Sequence, residues 1–139
     1  MKKDSSEKTE NEVFERIKSL CSGLYYMSET DAEILPFFGG KVEKLTKENF
    51  AEEIGVTDHS KIEERDFDSF FKRLVEIKEW FGEEEKKMAK RFSELKDFLL
   101  QNLSDLKVFR IGKIEIDIYV VGISRSGKII GFKTKAVET

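Results

Sequence analysis

Three stretches of this chain carry side chains able to do chemistry on a partner. The chain ends on "GKIIGFKTKAVET", a run that still alternates like a strand, so Thr139 is expected to present a hydroxyl and a terminal carboxylate together. Both are hard oxygen ligands, carried at the tip of the last strand. In "MSETDAE", Glu29, Asp31 and Glu33 cluster just after an apolar anchor. In "KEWFG", the only tryptophan, Trp80, follows Glu79 in a loop. An indole there is either a core plug or an interface anchor, and tryptophan is enriched among binding hot spots.

Enzyme signatures are scarce, and the chain is read as a non-enzyme. The one histidine, His59, stands in a polar loop, "TDHSK", with no second histidine or nearby cysteine to complete a zinc site. Cys21 falls on an apolar helix face, where a thiol packs as a small inert hydrophobe. "GISRSGK" has glycines and a lysine, but its spacing is not that of a phosphate loop and it joins two strands. No cofactor of the chain's own is expected. Paired carboxylates in "EEE" and "IEIDI" are what a 38% charged chain produces on a solvated face.

A length of 139 residues fits one domain, able to bury most of its apolar surface in one core. No stretch reaches the roughly 18–20 apolar residues needed to cross a bilayer. The opening "MKKDSSEKTENE" has no apolar segment after its lysines, so it is not read as a secretory signal. A single cysteine excludes an internal disulfide framework and suits a reducing cytoplasm. Net charge is −3, unevenly spread: residues 107–139 hold +4 and the rest −7. Local fields therefore matter more than the total.

These groups must be positioned by elements that the hydrophobic period reveals. Residues 1–8 are polar and unpatterned and read as a disordered arm before a single domain over 9–139. Val13, Phe14, Ile17, Leu20, Cys21 and Leu24 make one helix face, capped by Thr9 or Asn11 and ended by Gly23. "LYYMSETDAE" reads as a short irregular link that leaves the core for the surface. "EILPFFGG", with the only proline, fits an edge strand. "LTKENFAEEIG" reads as a short helix between Thr46 and Gly55, and "KIEER" as a strand. Asp66 or Asp68 caps a helical turn in "DFDSFFKRLV". The longest helix runs from Glu83 to about Leu103, with an acidic first turn favoured by the helix dipole. From Ile114 the period changes to two, and turns at Gly112 and "SRSG" divide a three-stranded antiparallel meander. Helices followed by a meander argue for an α+β domain with helices covering the sheet.

Taken together, "GLYYMSE", "FDSFF", "EWFGEEE", "VFRIGKIEIDIYVVG" and the closing "TKAVET" resemble, in order and at similar spacing, the nuclease A inhibitor family. These are small bacterial proteins that block a nonspecific, metal-dependent DNA/RNA endonuclease. The resemblance implies a three-layer α/β/α sandwich with a mainly antiparallel sheet, similar to the pathogenesis-related protein fold. It implies that Glu29, in the "MSE" segment, stands in for the scissile phosphate in the nuclease active site. It also implies that the Thr139 hydroxyl reaches the catalytic Mg2+ of a ββα-metal endonuclease, so that the partner's metal bridges the complex. A second contact patch is implied at Glu79 and Trp80, where the family has aspartate before the tryptophan. The free protein is expected to be a cytoplasmic monomer that binds neither membrane nor nucleic acid directly.

The rival reading is a nucleic-acid-binding module. Lys107, Arg110, Lys113, Arg125, Lys128, Lys133 and Lys135 give the meander a basic character that could follow a phosphate backbone. Tyr119 or Phe109 would then stack on bases.

Overall fold

The computed structural model describes residues 9–139; the arm expected over 1–8 lies outside the described residues. Helix α1 (Glu10–Cys21) begins in a reciprocal cap: Thr9 Oγ1 accepts from the Glu12 N–H at 3.1 Å, and the Glu12 carboxylate accepts from the Thr9 N–H at 2.9 Å. Thr9, not Asn11, is thus the cap residue. The helix ends at Gly23, whose φ of +79° an L side chain would resist.

The stretch expected to be an irregular link is instead a hairpin of β1 (Tyr25–Met27) and β2 (Asp31–Glu33), with Met27 opposite Asp31. Its alternation was hidden because three bulky apolar residues stand in a row. Only the middle one, Tyr26, turns inward (7% exposed), while Tyr25 and Met27 face solvent.

Strand β3 (Leu35–Lys41) follows, then helix α2 (Lys47–Ile54), capped by Thr46 and closed by Gly55, a 3₁₀ turn at His59–Lys61, and strand β4 (Ile62–Arg65). Helix α3 (Phe67–Val75) is capped by Asp66, which accepts from the Ser69 N–H at 2.9 Å. Helix α4 (Glu83–Asn102) leads into the meander of β5 (Ser104–Ile111), β6 (Glu115–Ile123) and β7 (Lys128–Val137). The five-stranded sheet is antiparallel throughout, in the order β3-β7-β6-β5-β4. The proline-bearing strand therefore lies at one edge, as expected. Gly112 makes the tight β5–β6 turn: its φ is +111°, and a Cβ there would stand 2.3 Å from the Glu115 carbonyl oxygen.

Both faces of the sheet are covered. On one, Val108, Ile116, Ile118, Val120, Ile130 and Phe132 pack against the apolar stripes of α1, α3 and α4. On the other, Phe109, Val121 and Ile129 pack with Phe50, Ala51 and Leu45 under and beside α2. The molecule is thus an α+β, three-layer α/β/α sandwich, with three helices on one side and one short helix on the other. Among the described residues no helix is long and apolar enough to cross a membrane.

Candidate functional site

The site grows from the end of β7. Pairing with β3 reaches only as far as Leu35 opposite Lys133, so the last residues of β7 lack a neighbour from that strand. The tip of the β1–β2 hairpin takes the place. The Glu29 N–H donates to the Val137 carbonyl at 3.3 Å, and Ser28 Oγ accepts from the Val137 N–H at 3.0 Å. Deeper in, the buried Thr134 hydroxyl donates to the Glu33 carbonyl at 2.9 Å, tying β2 to the sheet. The hairpin turn is closed by the Ser28 N–H donating to the Thr30 carbonyl at 2.9 Å.

This arrangement brings Glu29 and Thr139, 110 residues apart, into direct contact. The Thr139 N–H donates to Glu29 Oε2 at 2.6 Å, and its hydroxyl donates to Oε1 at 2.8 Å and Oε2 at 3.0 Å. Both residues are exposed. Hydrogen bonds to the charged form hold the Glu29 carboxyl below the usual carboxylate range; the Thr139 backbone N–H contributes most, then its hydroxyl, against slight desolvation. The pair therefore presents a carboxylate that stays ionised. Its hydroxyl has committed its one proton inward, which leaves the oxygen lone pairs free to accept or to bind a cation. Asp31 and Glu33 add exposed acids on the same hairpin. Among the described residues no three His, Cys, Asp or Glu side chains converge as a metal-holding group.

Trp80 stands in the loop between α3 and α4, 70% exposed, so it is not a core plug. Phe81 meets it edge-on with ring centroids 4.9 Å apart, and its backbone N–H donates to the Lys78 carbonyl at 3.0 Å. Between this loop and β1 runs a groove of about 400 Å³ lined by Tyr25, Met27, Arg73, Trp80, Phe81 and Met88. Met27, 55% exposed, is two residues before Glu29. The hairpin that carries Glu29 thus also lines the tryptophan groove, through Tyr25 and Met27, side chains that the sequence reading left unassigned. The signal for them was the outward half of the hairpin alternation. Glu79 is exposed beside Trp80 and lines neither the groove nor the Glu29 cluster.

Other candidates take structural roles. Cys21 is buried, and burial pushes its thiol up to about 12, too high to act as a nucleophile near neutrality. His59 opens the 3₁₀ turn, beside Asp58, which caps it through the Ser60 N–H. The basic meander is largely paired: Lys107 with Glu64 and Asp105, Arg110 with Glu138, Lys128 with Glu10, and Lys135 with Asp117. Phe109 is fully buried and stacked on Phe50 at 4.7 Å, so it cannot stack on a base. Tyr119 is half-buried, edge-on to Phe50 and Phe37.

No curated protein matches the chain. The family model described as nuclease A inhibitor-like protein matches residues 11–139, which spans both the hairpin tip and Thr139. The chain belongs to the nuclease A inhibitor-like protein family.

Proposed function

We propose that this protein inhibits a nonspecific, magnesium-dependent DNA/RNA endonuclease of the ββα-metal type by occupying its active site. Glu29 takes the position of the scissile phosphate, and the Thr139 hydroxyl is offered to the partner's catalytic metal. The observation that carries this reading is the exposed Glu29–Thr139 pair, with its donors at 2.6–3.0 Å. A nuclease site that grips phosphodiesters is cationic and concave, and a fixed carboxylate on a protruding turn is complementary to it in charge and shape. The partner's Mg2+ would supply a coordination position for an oxygen donor. Thr139 suits that position because its hydroxyl proton already points to Glu29. Trp80 and the groove beside it form the apolar anchor away from the charged centre, with Glu79 at its margin.

Titrating the protein into such a nuclease from the same organism should abolish DNA cleavage near an equimolar ratio. Glu29→Ala should weaken inhibition at least about tenfold, because it leaves the enzyme's cationic groups desolvated and unpaired. Undiminished cleavage under a large excess of inhibitor, across several candidate nucleases, would count against the proposal. Tight, salt-sensitive binding of the protein to bare DNA in a gel shift would favour the rival instead.

A further inference from the structure

A strand end normally frays, yet residues 137–139 are held from two sides. On the hairpin side, Ser28 Oγ accepts from the Val137 N–H at 3.0 Å. On the β5–β6 side, the Glu138 N–H donates to the Ile114 carbonyl at 2.9 Å, and the Glu138 carboxylate pairs with Arg110 at 2.8 Å. The Arg110 side chain is only 17% exposed, so this is a charge-assisted bond partly withdrawn from water, the stronger kind. Successive residues of a strand point in opposite directions. Holding Val137 from one side and Glu138 from the other therefore fixes the rotation of the segment about its own axis. That rotation sets which way the next residue, Thr139, faces.

We propose that Ser28 and Arg110 are positioning residues that hold residues 137–139 in the one orientation where Thr139 meets Glu29. The inference rests on the inhibitor reading only for its consequence in binding. Neither side chain needs to touch the nuclease. Each removes conformational freedom from the segment before the partner arrives, so less ordering is left to oppose association.

Two measurements test this, one without any nuclease. In the isolated protein, hydrogen-exchange protection of the Thr139 amide reports whether Thr139 is docked, because that N–H donates to Glu29 Oε2 at 2.6 Å. Ser28→Ala and Arg110→Gln should each lower that protection by about threefold or more, while Ser28→Thr and Arg110→Lys should keep it. In the inhibition assay, each disruptive variant should weaken inhibition by about three- to tenfold, the worth of one hydrogen bond. If the Thr139 amide is as protected as in the parent protein in both disruptive variants, the positioning role is overturned. Should Arg110→Gln fail to fold, Ser28→Ala decides, since Ser28 is exposed and lies in a turn. If Glu29→Gln inhibits as well as the parent, the phosphate-substitute role of Glu29 falls, while the exchange measurement still decides the positioning role.

Discussion

A carboxylate is useful as a phosphate substitute only while it is ionised and aimed. Glu29 meets both conditions through one neighbour, since the two donors of Thr139 stabilise its charged form and fix its rotamer. The sign of the pH effect follows from the direction of the shift. A carboxyl group depressed in the folded state contributes stability that is fully present above the ordinary carboxylate range and is lost as pH falls through the depressed value. The group is fully solvated, so the contribution to global stability is small and the consequence is functional. Thr139→Val, which removes the hydroxyl and keeps the shape, is expected to raise the Glu29 titration toward the ordinary range and to weaken inhibition. A carboxyl-carbon NMR titration beside an inhibition curve checks both, and an unshifted Glu29 would show that the Thr139 hydroxyl adds nothing to the hold of its backbone N–H.

At the scale of elements, the candidate residues sit on three irregular ends: the tip of β1–β2 and the end of β7, which meet, and the loop between α3 and α4. Two of the ends are set by local bonds and one by the sheet. The hairpin turn closes through Ser28 and Thr30. The last turn of β7 finds its partner where β3 stops. The α4 N-terminus is fixed by the Glu85 carboxylate accepting from the Gly82 N–H at 2.7 Å, which leaves Trp80 standing two residues before the cap. An indole so exposed contributes little to folding. Trp80→Ala should change stability by no more than about 0.5 kcal/mol while costing roughly 2 kcal/mol or more of binding if the nuclease covers it. Chemical denaturation and a binding isotherm separate the two, and a large stability loss with unchanged affinity would make Trp80 a structural residue.

For the whole molecule, the governing feature is a sheet with two separately packed faces. Ile129 and Ile130 are sequence neighbours, both fully buried, but they point into opposite layers. Ile129→Val and Ile130→Val should each cost about 0.5–1.5 kcal/mol, and the double variant should show the sum to within roughly 0.5 kcal/mol. Urea unfolding of the four proteins measures the coupling; a strongly non-additive pair would mean that the two layers repack through the sheet. The rigidity of this frame lets a cluster of loop ends keep a geometry set by bonds of 2.6–3.3 Å.

Much of this was legible in the residues alone. Caps at Thr46 and, each as one of two candidates, at Thr9 and Asp66, the stops at Gly23 and Gly55, the edge strand marked by Pro36 and the period-two meander all rest on local rules, in which a residue and its near neighbours decide the backbone. The resemblance in "MSE", "EWFG" and "KAVET" singled out the candidate residues, again segment by segment. The hairpin at Tyr25–Glu33 was not legible, because half of its apolar side chains face a groove rather than the core, which blurs the alternation. Nor was the clasp of Ser28 and Arg110 on residues 137–139, since neither residue type signals such a role. Proximity between positions 110 residues apart depends on how far β3 extends, which edge it leaves open and what fills that opening. Those are properties of packing across the sheet, and only the tertiary structure decided that Glu29 and Thr139 meet.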